Sequence, residues 1–395
     1  MEREAALLLA LCAMLLWGSW ANTLLLFRTR YELYLFNYIL GHFLAGFLMF
    51  HEALPSLQAA TGAAGATVVI FSGLAGVLFA VGSLLAVASL DLAGMALPTL
   101  ILLSIEMAFG MPMLLLLEGS SGAAQVIYSF LGILSVLIAA LLDAWCHWSL
   151  QRDRNQEESR HSQCLALSSQ FSSLSFWSFR ATSTFAAGSL ARSLAPEALT
   201  FLTHGSVLPS GSSQQVLSGT AVSRVKHTNR GLVFAACGGL CFSAWPCMAS
   251  MVEGQSRWTF ETSLNASAFF FVYALGGVVA VLLLLPPLCR WPLHTGLTLS
   301  FWRSYLELTF YQHCLGLLGG FAHGVGSMLS IQAGKFLGNA VAMSITRCQP
   351  LVCALWGVLV WGELSGAGRK TTWIFCGMLS MFLLALLFFL LASPA

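Results

Sequence analysis

Ten stretches of mostly apolar residues, each long enough to cross a bilayer, constrain the fold of this 395-residue chain more than any other feature. About 20 such residues cross the hydrocarbon core as a helix, because the backbone polar groups must be satisfied without water. Only 9% of the residues are charged, against roughly 25% in a soluble domain. The sequence therefore predicts an all-α polytopic membrane protein. The expected spans lie at about 5–27, 33–50, 67–90, 93–117, 124–148, 231–252, 266–289, 308–331, 337–361 and 372–392.

A stretch rich in Ser and Thr at 150–229 divides the chain into a first half, 1–149, and a second half, 230–395, each with five expected spans. We expect this stretch to be a largely disordered linker. The halves share short matches, such as "VGSLL" from Val81 and "VGSML" from Val325, which are offset by 244 residues. Since five is odd, a duplicated half would enter the membrane upside down, so the sequence predicts a 5+5 inverted repeat.

Lys and Arg are concentrated at the span ends on the linker side, which predicts a cytosolic linker. The first apolar stretch has no small-residue cleavage pattern and is expected to be a membrane helix rather than a removable signal peptide. A net charge of +2 without a dense basic patch disfavours nucleic-acid binding. The eleven Cys show no zinc-type spacing, and no hydrolase motif or P-loop is found, so no metal, no cofactor and no enzymatic activity are expected.

Two charged residues lie near the middle of expected spans, Glu106 in the fourth and Arg347 in the ninth. A charge at that depth costs several kcal/mol unless it is paired or hydrated, so each is a candidate functional residue. The duplication makes these spans symmetry mates, and the two side chains can pair across a central cavity. Either the pair only locks the two halves together, or it takes part in binding and coupling.

Histidines, tryptophans and amides complete the expected site. His323 lies between glycines in the eighth span and is a candidate proton carrier or substrate contact, whereas His42 is expected to serve helix packing. Tryptophans deeper than the membrane interface can stack on a flat polar ring, and neighbouring amides can bind it. Glu106 and His323 are assigned to proton coupling. The expected substrate-binding residues are Trp17, Trp20, Asn22, Asn37, Trp245, Asn339, Arg347 and Gln349.

Several longer motifs resemble the plant-type ureide permease family of the drug/metabolite transporter superfamily. They are "GSW" from Gly18, "RTRYELYLFNY" from Arg28, "GGFAHGVGSMLSIQAGKFLGNAVA" from Gly319 and "QPLVCALWGVLVWGELSGAGRKTTWIFCGMLSMF" from Gln349. The resemblance implies a ten-helix secondary transporter that moves allantoin-like ureides, uracil, xanthine and related oxo-azole rings with protons. Arg347 departs from the pattern, because an uncharged residue is expected there in that family.

The sequence thus predicts a proton-coupled transporter in the plasma membrane or an endomembrane, with a small polar solute, protons and the lipid bilayer as its partners. A homodimer is left open. A sugar or nucleotide-sugar transporter of the same superfamily is the alternative within this class. A receptor or scaffold that signals through the linker is the alternative of another class.

Overall fold

The computed structural model describes residues 3–27, 30–93, 96–119, 122–178, 228–258, 260–291, 298 and 300–393. These residues form helices joined by short connections and contain no strand. The helices of the first half are α1 Arg3–Ser19, α2 Ala21–Leu26, α3 Tyr31–Leu48, α4 Phe50–Ala59, α5 Gly62–Ala93, α6 Ala96–Ile105, a π-helical turn Glu106–Gly110, α7 Met111–Glu118 and α8 Ala123–Ser178. Those of the second half are α9 Thr228–Val252, α10 Ala266–Arg290, α11 Phe301–Leu306, α12 Phe310–Leu337, α13 Asn339–Thr346, α14 Gln349–Leu359 and α15 Arg369–Ala392.

Nine segments within the described residues are long and apolar enough to cross a membrane, or ten if the bent pair α3 and α4 counts as one. The prediction of an all-α polytopic fold is confirmed, and the chain is an integral multi-pass membrane protein. The bend of 74° follows Leu48, where α4 turns away from the axis of α3. On α4, Glu52 accepts a hydrogen bond from Ser267 at the start of α10 (3.0 Å).

The linker prediction falls mostly outside the described residues, because 179–227 are not described. The helix that contains the fifth span does not end near residue 148 but continues to Ser178. The beginning of the stretch expected as linker is therefore helical.

Two of the close helix crossings between the halves, among the described residues, rest on glycines. On α3 and α12, a Cβ on Gly41 would run into the backbone of Leu317, and one on Gly320 into the backbone of Tyr38. Small residues let membrane helices approach this closely, because van der Waals packing drives their association. Longer side chains at Gly41 or Gly320 would force α3 and α12 apart.

The crossing of α5 with α10 repeats these contacts. A Cβ on Gly76 would run into the backbone of Tyr273, and one on Gly276 into the backbone of Gly73. Gly73 and Gly76 precede Leu317 and Gly320 by 244 residues, and Tyr38 and Gly41 precede Tyr273 and Gly276 by 235. The two crossings thus use positions that would be equivalent if the two halves are repeats.

Prolines explain two interruptions in the spans. Pro112 follows the π-helical turn Glu106–Gly110, and Pro350 follows the break between α13 and α14. Proline lacks the backbone N–H that an α-helical hydrogen bond requires, and its ring crowds the preceding turn. The interruptions place Glu106 at the start of the widened turn and Arg347 in the break.

Candidate functional site

Glu106 and Arg347 form a buried ion pair at these two interruptions. An Nη of Arg347 contacts Oε1 of Glu106, and the residues are only 5% and 2% exposed for Arg347 and Glu106, respectively. The Arg347 guanidinium also lies over the Trp17 indole, 4.8 Å from the ring centroid. A cation over an aromatic face is stabilised by the ring quadrupole. The two opposite charges cancel, so the pair adds no net charge to the centre of the protein.

His323 is a second neighbour of the Trp17 indole. Its ring stacks on Trp17 with centroids 5.0 Å apart and planes 3° apart, and Trp17 Nε1 donates a hydrogen bond to the His323 carbonyl (3.2 Å). Trp20 meets the His323 ring edge-on at 6.1 Å. Trp17 therefore holds an imidazole and a guanidinium in this conformation and is not a free platform for a solute.

His42 extends the cluster across the α3–α12 crossing. Its Nδ1 lies 3.4 Å from Nδ1 of His323, at the outer limit of hydrogen-bond distance. The His42 ring also lies 5.6 Å from the ring of Tyr273 on α10, which in turn packs against Trp245 at 5.3 Å. Of the residues expected in the site, Trp17, Trp20, Trp245, Glu106, His323 and Arg347 are thus brought together.

Some polar atoms of this region are buried without a hydrogen-bond partner in the part of the chain that the structure describes. They are His42 Nε2, Tyr273 Oη, Arg347 Nε and Gln349 Oε1. Gln349 follows Arg347 by two residues at the start of α14. A buried polar group without a partner costs about 1–3 kcal/mol, so a cluster of such groups is typical of a site that binds something polar.

Three of the expected substrate-binding residues lie elsewhere. Asn22 accepts a hydrogen bond from Trp361 Nε1 (2.7 Å), and Asn37 accepts one from Tyr305 Oη (2.7 Å). Asn339 begins α13, at the far end of the ninth span from Trp361. The structure does not bring these three amides to the ion pair.

His42 and Tyr273 are the residues that sequence reasoning missed. His42 was expected to serve only helix packing, and Tyr273 lies in an apolar stretch without a motif. A sequence signal for Tyr273 did exist. Tyr38 and Gly41 match Tyr273 and Gly276 at a constant separation of 235 residues. That match would have placed Tyr273 at an interhelical crossing.

The ninth span is fastened at both ends, with Arg347 between them. Near its carboxyl end, Trp356 Nε1 donates to Ser19 Oγ (2.9 Å), and Trp361 reaches Asn22 in α2. At its amino end, the Ala340 amide donates to Glu118 Oε1 (2.8 Å). The ion pair therefore lies between two sets of contacts, one at each end of the ninth span.

The carboxyl end of the fourth span is fastened as well. The Arg257 amide donates to the Leu117 carbonyl (2.8 Å) and its guanidinium contacts the Gly119 carbonyl, which links the ends of α7 and α9. The pairing of spans four and six corresponds to that of spans nine and one under the expected duplication. The contacts between spans nine and one and those between spans four and six are both formed in this conformation.

The sequence profile described as "Ureide permease" matches residues 55–393. The chain belongs to the ureide permease family. The matched region contains Glu106, Tyr273, His323 and Arg347 but begins after Trp17 and His42. The family resemblance inferred from the sequence motifs is confirmed.

Two Arabidopsis thaliana proteins are similar to this ureide permease family member. It is 31% identical to ureide permease 1 over 163 residues, which are 40% of this chain and 41% of that protein. It is 29% identical to ureide permease 2 over 159 residues, which are 39% of each. The chain thus covers about two fifths of the length of each relative. No solved structure matches it.

Proposed function

We propose that this ureide permease family member transports ureides and related neutral oxo-azole rings, such as allantoin, uracil and xanthine, across a membrane by alternating access. The observation that carries the proposal is the buried Arg347–Glu106 pair, which lies at two helix interruptions and packs against the Trp17 indole. A charge-balanced centre favours a neutral polar solute over an ion, because an ion would add an uncompensated buried charge. Ureides and lactam rings are neutral and rich in hydrogen-bonding groups.

Alternating access requires each end of the protein to open in turn. We assign one gate to the Asn22–Trp361 and Ser19–Trp356 contacts and the other to the Glu118–Ala340 and Leu117–Arg257 contacts. The equivalent glycine contacts of the two crossings support an inverted repeat, in which the same motion occurs in opposite directions. We assign the conformation, in which both of these sets of contacts are formed, to the occluded intermediate of such a cycle.

Proton coupling is part of the proposal. Glu106 and His323 are the titratable groups assigned to it, because both are buried and both contact the Arg347–Trp17 unit. If Glu106 carries the proton, Glu106→Gln abolishes pH-driven accumulation while leaving exchange of unlabelled for labelled solute. Full uptake by this variant with an unchanged pH dependence would contradict a role for Glu106.

The experiment that tests the substrate is uptake into proteoliposomes of labelled allantoin, uracil, xanthine and a panel of sugars, with and without a pH gradient. We expect saturable uptake of the ureide and nucleobase-like rings. Uptake of sugars alone would favour a sugar or nucleotide-sugar transporter of the drug/metabolite transporter superfamily instead.

A membrane receptor or scaffold that signals through a cytosolic linker is the competing class, and it makes the opposite prediction. The linker residues 179–227 lie outside the described part of the chain. Deleting residues 163–218 would abolish the activity of a receptor but leave transport intact. Altering Glu106 or Arg347 would impair transport and leave receptor signalling unchanged.

A further inference from the structure

Tyr273 and His42 each bury a polar atom that no group among the described residues satisfies. Tyr273 is 0% exposed, and its hydroxyl has no hydrogen-bond partner. His42 is 2% exposed, and its Nε2 has none either. Replacing such an atom with a nonpolar one would stabilise the fold, since the cost of desolvating it is not recovered. Their presence in the centre of the protein calls for another role.

The tautomers of the histidine pair do not remove the problem at His42. If His42 Nδ1 carries the hydrogen and donates it to His323, then His42 Nε2 is a bare acceptor without a donor. If His323 donates instead, His42 Nε2 carries a hydrogen without an acceptor. In either arrangement, one polar atom of His42 faces the interior among Phe79, Phe270 and Tyr273.

A chain of ring contacts connects these atoms to the ion pair. Tyr273 lies on α10, and His42 on α3 packs against it and against His323, which stacks on the same Trp17 as the Arg347 guanidinium. Arg347 Nε is a third buried donor without a partner. The three atoms thus belong to one continuous cluster of rings and charges.

We propose that Tyr273 and His42, together with Arg347, determine solute selectivity by hydrogen bonding to carbonyl oxygens of the transported ring. The proposal rests on the transport function proposed above and assigns its binding contacts to two residues that the sequence did not indicate. Tyr273 Oη and Arg347 Nε donate, and His42 Nε2 donates in one of its neutral tautomers. Such a set favours a ring with more than one carbonyl, because a site built for a hydrogen bond discriminates strongly against a ligand that lacks it.

Tyr273→Phe tests the proposal, because it removes only the unpartnered hydroxyl. We expect the melting temperature in detergent to be unchanged or higher, while the KM for labelled allantoin rises about 3- to 10-fold, the cost of one net hydrogen bond. Tyr34→Phe is the matched control, because the Tyr34 hydroxyl is hydrogen-bonded to Thr23 Oγ1 (2.7 Å). That variant should lower the melting temperature and leave the KM unchanged.

A competition assay tests the carbonyl selectivity directly. Hydantoin and 2-imidazolidinone are five-membered rings that differ by one carbonyl, and hydantoin should compete better for the wild-type protein. Tyr273→Phe should reduce this preference by the same 3- to 10-fold. His42→Asn should do likewise, because it keeps a group near Nδ1 for His323 and lacks one at Nε2.

The outcomes separate this inference from the proposed function. If the wild-type protein takes up no ureide or nucleobase-like ring, the transport proposal itself fails. If the wild-type protein transports allantoin and both variants keep its KM and its preference for hydantoin, the selectivity proposal fails while the transport function stands.

Discussion

The Glu106–Arg347 pair gives the most demanding prediction. Glu106→Gln leaves the buried Arg347 guanidinium without its counter-charge, which costs about 3–5 kcal/mol. The contact of the guanidinium with the Trp17 indole at 4.8 Å, worth about 2 kcal/mol when desolvated, is kept in this variant. Arg347→Gln leaves the carboxylate uncompensated and also loses the indole contact, so it should be the more destabilising of the two.

The double variant should be more stable than either single variant. A neutral pair of similar size avoids both desolvation penalties, so its net cost should be less than about 2 kcal/mol. Since each single variant should cost at least about 3 kcal/mol, the coupling energy from the double-mutant cycle should be at least about 4 kcal/mol. Melting temperatures of the four proteins in one detergent, followed by size-exclusion chromatography, measure the order. A double variant that is no more stable than the less stable of the two single variants would refute the pairing.

The same four proteins decide between the two roles of the pair. If the double variant regains stability and transports allantoin at the wild-type rate and with the wild-type pH dependence, the pair only holds the two halves together. If it regains stability without transport, the pair takes part in coupling. A changed set of transported solutes in Arg347→Gln would assign the guanidinium to the solute.

Three further predictions concern the closures, the loops and the helix crossings. Asn22→Ala and Trp361→Phe remove the same hydrogen bond (2.7 Å). A double-mutant cycle from thermal melts should therefore give a coupling of about 0.5–1.5 kcal/mol. Additive effects of the two changes would contradict the contact. Burial raises the pKa of the Glu253 carboxyl from 4.5 to about 8, so the folded state binds this proton more tightly and stability falls as the pH rises between these values. Glu253→Gln should reduce the loss of stability between pH 6 and 8.5 by about 1–2 kcal/mol in thermal melts, and an unchanged pH profile would refute the assignment. Gly320→Ala places a Cβ against the backbone of the neighbouring helix and should lower the free energy of unfolding by about 1–3 kcal/mol. Gly377→Ala is the control and should be neutral, because the nearest atom to its Cβ lies at 3.7 Å. Equal melting temperatures of the two variants would contradict the close crossing.

The membrane spans could be predicted from the sequence because their signal is local. Length and hydropathy identify a span without knowledge of its neighbours, and the expected positions agree with most helices to within a few residues. Glu106 and Arg347 were also predictable, because a charge in an apolar stretch requires compensation. Pro112 and Pro350 were visible signals for the interruptions that position them.

The hydrogen bonds of the amide side chains were not predictable, because they depend on residues far away in the chain. Asn22 is bound by Trp361 and Asn37 by Tyr305, at separations of 339 and 268 residues. No local pattern distinguishes an amide that binds a distant indole from one that binds a solute. The bend after Leu48 likewise depends on tertiary contacts of α4 with α10.

Uptake of labelled allantoin into proteoliposomes that contain the purified full chain tests the central claim most directly. The account predicts saturable uptake that is competed by unlabelled uracil and hydantoin, is insensitive to sugars and is lost in Arg347→Gln. Protein that reconstitutes in folded form but takes up neither allantoin nor uracil, while accumulating a sugar, would contradict it.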